Sequence, residues 1–175
     1  MAIFFKKGLD KSQIEFVGKE ISRVLPEDYK NFLKKINGFF VDLPDFCEID
    51  LDVADEGIVA FDRLFGFSPD DEVNDLVSSN KEFASDLSYV PGAIIVGEDG
   101  GGNPYVILNG EKSAVYYWDR THLHVNSKIR SHDIVEENDA GNLYFVCHGF
   151  DSFLDILKKG FETFPEFIEE NSVDS

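Results

Sequence analysis

The sequence is poor in several residue types, and each shortage excludes a class of protein. It has one Trp and one Met against seventeen Phe, so Phe supplies most of the large side chains available for a core. Its two cysteines, Cys47 and Cys147, stand in apolar stretches without CxxC spacing, which predicts reduced, buried thiols rather than a disulfide or a metal site. Despite the high charge, this aromatic content excludes an intrinsically disordered chain.

Long apolar runs are also missing. No stretch approaches the roughly 18 apolar residues that a membrane-spanning helix needs. The first residues do not combine the charged, apolar and small-residue regions of a signal peptide. The sequence therefore predicts neither a membrane span nor a secretory leader, and we expect a cytoplasmic protein.

Basic side chains are scarce. Sixteen Lys and Arg face 34 Asp and Glu, which gives a formal net charge of −18. Residues 41–100 hold two basic and sixteen acidic side chains, whereas residues 1–40 hold eight basic and five acidic ones. Such a field repels phosphate backbones and anionic lipid, which argues against nucleic-acid and membrane binding, and it speeds association with a basic partner. The plainer interpretation is that the acidity keeps the protein soluble.

Length and composition predict one domain. The 175 residues are 43% hydrophobic, which is enough for one well-buried core, and no Pro- or Ser-rich linker divides the chain. We expect a single domain over residues 1–175, with a core at about 10–160 and a C-terminal tail at 161–175.

Two helices are predicted in the first forty residues from apolar positions three and four residues apart. The first begins at Ser12, which stands with Glu15 in capping-box spacing, and ends near Arg23. The second has Pro26 in its first turn, and Gly38 is expected to close it as a left-handed cap.

Two more helices are predicted further along the chain. Residues 69–83 have the spacing of a short surface helix. A last helix is expected to be capped by Asp151 or Ser152 and to end at Gly160.

The stretch AIIVGEDGGGNPYVIL, residues 93–108, is the clearest strand signal. Two apolar runs flank an acidic, glycine-rich turn, which predicts a β-hairpin at the centre of a sheet. Three consecutive glycines favour a loop with positive φ or with a close backbone approach. Acidic and apolar residues alternate over 39–62, which predicts one or two strands with an acidic, solvated face. Further strands are expected at 58–67, 113–119 and 143–147, and a strand pair within 120–142.

No motif identifies a catalytic or cofactor site. The glycine turn lacks the Lys-Ser/Thr of a P-loop and does not fit GxGxxG, and Glu98 and Asp99 would repel a phosphate. The acidic stretch does not keep the ligand register of an EF-hand. His122 and His124 share a face if their segment is a strand, but no third ligand completes a metal site. The sequence predicts no catalytic residue, no cofactor and no metal.

Four stretches together resemble the SMI1/KNR4-like, or SUKH, family: LPEDYKNFLKKING (25–38), IIVGEDGGGNPYVIL (94–108), AVYYWD (114–119) and FVCHGFDSFLDIL (145–157). Their order and spacing carry the resemblance, which covers about residues 10–160. It implies a single α+β domain in which helices pack on a mainly antiparallel sheet. It also implies a protein-binding module rather than an enzyme. Many bacterial members are immunity proteins that neutralise a cognate polymorphic toxin, often a nuclease, whereas fungal members serve in cell-wall and signalling regulation.

The resemblance gives the acidity a use, because an acidic surface can occupy the basic cleft of a nuclease. The hypothesis is an immunity protein that binds a basic toxin domain, with an exposed aromatic residue as the anchor. The candidate partner-binding residues are Asp42, Asp45, Glu48, Asp50, Asp52, Asp55, Glu56, Glu98, Asp99, Tyr117 and Trp118.

Two alternatives stay open. One is a regulatory or scaffold module with an endogenous partner. The other is a small-molecule or metal-dependent enzyme, which a pocket with converging polar groups or a metal at His122 and His124 would support.

Overall fold

The computed structural model describes residues 1–45, 47–54, 57–109, 113–124, 133–161 and 165–170. The helices of these residues are α1 (Lys11–Glu20), α2 (Glu27–Leu33), α3 (Leu76–Glu82) and α4 (Phe150–Gly160). The strands are β1 (Ala2–Lys7), β2 (Ile36–Val41), β3 (Cys47–Asp50), β4 (Ile58–Phe61), β5 (Arg63–Leu64), β6 (Ala93–Glu98), β7 (Pro104–Leu108), β8 (Ala114–Asp119), β9 (Asn142–His148) and β10 (Glu166–Glu169).

Eight strands form one sheet in the order β10-β1-β2-β5-β6-β7-β8-β9. Neighbouring strands are antiparallel except β1 and β10, which run parallel at one edge. β3 and β4 form a separate antiparallel pair. The predicted α+β fold with a mainly antiparallel sheet is confirmed, and the predicted hairpin of β6 and β7 lies inside the sheet.

Both faces of the central strands are covered. Tyr105 on β7 packs against Phe153 of α4, with ring centroids 5.1 Å apart. On the other face Trp118 of β8 packs against Phe83, which follows α3. Strands covered on both faces read as continuous apolar runs, which is why the sequence marks 93–96 and 105–108 so clearly.

The two N-terminal helices differ from the prediction in their ends. Asp10, not Ser12, caps α1: its carboxylate accepts a hydrogen bond from the Gln13 backbone N–H at 2.9 Å, and Gln13 Oε1 accepts one from the Asp10 N–H at 2.9 Å. α2 ends at Leu33, and the chain enters β2 at Ile36. Gly38 has the expected positive φ of 77°, but it lies within β2 and is not a helix cap.

The role of Gly38 is a close backbone approach. A Cβ at this position would lie 2.6 Å from the backbone nitrogen of Gly66. The glycine therefore serves the packing of β2 against the chain after β5.

Other expected elements are present with different bounds. The strand predicted at 58–67 divides at Asp62, since β4 pairs with β3 while β5 joins the large sheet. The region 69–83 forms a 3-10 turn at Glu72–Asn74 and then α3. α4 begins at Phe150, ahead of both predicted caps.

The sequence does not predict the last two strands at one end of the sheet, β1 and the edge strand β10. β1 and β10 pair in parallel register from Ala2 and Glu166 to Phe5 and Glu169. β10 lies within 161–175, which the sequence predicts to be a tail.

The region least explained by sequence is described in part. Instead of the strand pair expected within 120–142, the described residues of 120–141 form one isolated bridge, between Ile134 and Leu143 of β9, and 125–132 lie outside the described residues. No helix in the described ranges is both long and apolar enough to cross a membrane.

Candidate functional site

The β3–β4 hairpin presents an acidic face. On β3 the side chains alternate, with Cys47 and Ile49 buried and Glu48 and Asp50 exposed. The buried face is held against α4, because Gly160 lies so close to Cys47 Sγ and the Glu48 carbonyl that a larger residue would not fit. A strand packed on one face leaves the other to water, so the predicted acidic, solvated face is confirmed for β3.

Three exposed carboxylates follow each other on this hairpin, which we call the hairpin carboxylates: Glu48, Asp50 and Asp52. None of them forms an ion pair within the part of the chain that the structure describes. Their carboxylates are therefore open to an external cation.

The remaining candidates of this stretch are placed differently. Asp42 is exposed just after β2, whereas Asp45 lies 3.3 Å from the amino group of Met1. Asp55 and Glu56 lie outside the described residues. The five carboxylates that the structure describes thus do not form one uniform surface.

Asp42 belongs to a second feature, an acidic hollow of about 320 Å³ between β2 and the chain around β5. Asp62, Arg63, Asn74 and Gly100 line the same hollow. Asp62 is fixed there by its backbone, whose N–H donates to the Glu98 carbonyl at 3.0 Å and whose carbonyl accepts from Val41 N at 2.9 Å.

Arg63 is the only cation that lines this hollow among the described residues. Its Nε donates to Asp62 at 2.6 Å and lies 3.3 Å from Glu98 Oε1, and its Nη1 donates to Asn74 at 3.0 Å. Burial raises the pKa of Glu98, and the negative charges of Asp62 and Asp99 add to the effect, while Arg63 opposes it. Because Glu98 is half-buried and lies beside Arg63, it is a weaker candidate for partner binding than the hairpin carboxylates.

Asp99 organises the glycine-rich loop. Its carboxylate accepts hydrogen bonds from the backbone N–H groups of Gly101 at 2.7 Å and Asn103 at 3.0 Å, from Asn103 Nδ2 at 2.9 Å and from the Tyr117 hydroxyl at 2.8 Å. Gly100 and Gly102 have φ of 74° and 89°, so the loop needs glycine for its backbone geometry. The Asp99 carboxylate is committed to four internal donors, and we remove it from the binding candidates.

The predicted aromatic anchors are wrong. Tyr117 is 1% exposed and Trp118 is 0% exposed, because their two faces of the sheet are both covered. The Trp118 Nε1–H donates to the Gly141 carbonyl at 3.1 Å, and the Arg120 guanidinium stacks 4.1 Å from the Phe83 ring centroid beside it. Both side chains stabilise the core and neither is available to a partner.

The histidine pair does not form a shared site. His122 Nε2 lies 2.8 Å from Glu136 Oε2, and this hydrogen bond raises the pKa of His122. His124 is buried against the rings of Tyr117 and Tyr144. No three His, Cys, Asp or Glu side chains among the described residues are arranged to hold a metal ion.

Both cysteines are free, as predicted. Cys47 is buried, but Cys147 is only half-buried. Burial raises the pKa of each thiol to about 12, so neither is a nucleophilic thiolate near neutral pH.

Comparison with known proteins identifies a family. The sequence model described as the SMI1 / KNR4 family (SUKH-1) matches residues 8–170, which is nearly the whole chain. No curated protein matches the sequence significantly.

Proposed function

The chain belongs to the SMI1/KNR4 family (SUKH-1), a family of immunity-protein type, and from this membership we propose that it is an immunity protein. It binds a cognate bacterial polymorphic toxin in the cytoplasm and neutralises it by occupying the toxin's surface, without catalysis of its own. The toxin we propose is a nuclease with a basic active-site cleft.

The observation that carries this proposal is the set of hairpin carboxylates. Glu48, Asp50 and Asp52 are exposed and have no ion-pair partner among the described residues. They lie in the stretch from Asp42 to Asp62, which contains eight acidic residues and no Lys or Arg. A surface of this kind fits a cleft built to hold a phosphate backbone.

The physical reason is electrostatic complementarity. A nuclease binds a polyanion, so its cleft holds Lys and Arg side chains that pair with carboxylates as well as with phosphates. The net charge of −18 extends the attraction beyond the contact surface and raises the association rate at low salt. A fast association suits an inhibitor that must reach the toxin before the toxin reaches nucleic acid.

Co-expression tests the proposal. The chain is produced together with the C-terminal domain encoded by the adjacent gene, and cell growth and complex formation are measured. We expect the chain to prevent growth arrest and the two proteins to elute together at low salt. Persistent growth arrest with no complex would refute the immunity function, and a regulatory or scaffold module with an endogenous partner would then be the better account.

A further inference from the structure

An apolar groove of about 310 Å³ lies at the β1–β10 edge of the sheet, on the face that carries α2 and α4. The apolar residues that line it include Phe5, Ile36, Phe39, Leu154, Phe161 and Phe167. The Phe161 ring lies 6.1 Å from Phe39 and 6.5 Å from Phe167. Phe167 is 55% exposed, so the aromatic lining reaches the surface.

The polar groups of the groove come from the helical side. Asn31 lies in α2 and Lys35 follows the end of α2, and Asp151 and Lys158 lie in α4. The exposed Lys35 side chain forms no ion pair or hydrogen bond in the described ranges. Lys158 Nζ is paired with Asp155 at 2.9 Å, but both side chains are more than 60% exposed.

The groove is therefore amphipathic. Lys35 and Lys158 bring two ammonium groups to it, Asp151 brings one carboxylate, and Asp155 is paired with Lys158, which leaves Lys35 as the unpaired cation in a chain with a net charge of −18. Because an exposed ion pair contributes little free energy, Lys158 can exchange Asp155 for a ligand carboxylate at small cost.

We propose that this groove binds an amphiphile made of an aliphatic chain and one carboxylate. Its volume and its apolar lining with few polar groups are those of small-molecule sites in proteins. The aliphatic part of the ligand lies against Phe5, Phe39 and Phe161, and the carboxylate of the ligand lies beside Lys35 and Lys158. This site shares no residue with the hairpin carboxylates, so it stands or falls independently of the immunity function.

The electric field of the whole protein makes the sign of the ligand's charge a test of the proposed site. A chain with a net charge of −18 attracts cationic amphiphiles and repels anionic ones over its whole surface. A preference for the anion must therefore come from local groups such as Lys35 and Lys158.

Calorimetric titration with dodecanoate tests the proposal, with dodecyltrimethylammonium as the cation of equal chain length, both below the concentration at which they form micelles. We expect one dodecanoate per chain, bound at least about tenfold more tightly than the cation, a ratio that corresponds to about 1.4 kcal/mol. Absence of dodecanoate binding, or tighter binding of the cation, would overturn the proposal.

Two pairs of variants locate the site. Lys35→Gln with Lys158→Gln is compared with Lys11→Gln and Lys19→Gln on α1, which change the net charge equally. Phe167→Ala is compared with Phe16→Ala on α1, whose ring is 47% exposed. We expect about tenfold weaker dodecanoate binding for the groove variants and unchanged binding for the controls. Equal losses in groove and control variants, or no loss in either groove variant, would refute the assignment.

Discussion

Tyr29 is a fully buried side chain with an isolated polar atom. Its ring packs 4.7 Å from that of Phe150, and its hydroxyl has no hydrogen-bond partner among the described residues. Burial accordingly raises the pKa of Tyr29. Since an unsatisfied buried hydroxyl costs about 1–3 kcal/mol, we expect Tyr29→Phe to raise the free energy of unfolding by about 1 kcal/mol in urea titrations.

Tyr105 provides the matched control for this substitution. It is equally buried, but its hydroxyl donates to the Ala60 carbonyl. Tyr105→Phe leaves that carbonyl unsatisfied and should lower the free energy of unfolding by about 1 kcal/mol. If both variants were destabilised alike, the difference between the two hydroxyl environments would be refuted.

Glu98 and Asp99 are neighbours in sequence, but we expect their substitution to change the free energy of unfolding in opposite directions. Asp99→Ala removes the acceptor of four hydrogen bonds, so we expect a loss of about 3 kcal/mol in the free energy of unfolding. Asp99→Asn keeps one acceptor oxygen and should lose less. A loss below that of an ordinary surface substitution would show that the loop does not depend on Asp99.

Glu98→Gln should stabilise the protein at neutral pH. Burial raises the pKa of Glu98 in the folded state, so the folded protein holds this proton at a higher pH than the unfolded chain does. The stability linked to that proton is complete below the unfolded pKa and is lost as the pH rises through the folded pKa. The thermal midpoint of the variant should therefore exceed that of the wild type at neutral pH and match it in acid. A gap that does not change with pH would contradict this.

At the scale of one helix, the cap of α1 can be assigned by mutation. Hydrogen bonds from the Ser12 hydroxyl and then from the Gln13 N–H lower the pKa of Asp10. The stability linked to this group is present above the unfolded pKa and is lost as the pH falls through the folded one. Asp10→Ala should lower the thermal midpoint at neutral pH more than Ser12→Ala does, with a smaller difference in acid. A larger effect of Ser12→Ala would restore the cap that sequence spacing indicates.

Elements with strong local signals could be predicted, and elements that depend on distant partners could not. The β6–β7 hairpin has two apolar runs and a glycine turn within sixteen residues, so the sequence marks it. β1 and β10 are short, and their pairing joins Ala2 with Glu166. The close approach of Gly38 to Gly66 likewise joins distant residues, and no local pattern records it.

The candidate site follows the same rule: the sequence predicts its local features and not those that depend on distant contacts. Alternation along 47–50 identified Glu48 and Asp50 as exposed, since one buried face fixes the other. Tyr117 and Trp118 were misplaced because alternation cannot show that both faces of β8 are covered. The groove unites residues of α2, α4, β1 and β10, and only the tertiary fold brings them together.

At the scale of the whole molecule, the distribution of charge can be tested against its total. Glu48→Lys with Asp50→Lys is compared with Glu15→Lys and Asp70→Lys, which change the net charge equally at exposed positions away from the hairpin. With the co-expressed toxin domain, the hairpin variant should reduce the association rate constant about tenfold at low ionic strength, and the difference should shrink as salt is added. Equal reductions in both variants would show that total charge, and not the hairpin, steers the encounter.

The parallel pairing of β1 with β10 has a consequence for biosynthesis. β1 leaves the ribosome before β2, and its inner edge is paired as soon as β2 follows. Its outer edge stays unpaired until Glu166–Glu169 has been synthesised, about 160 residues later. During that interval the nascent chain presents the unpaired edge of AIFFKK, and pairing between neighbouring nascent chains competes with completion of the sheet.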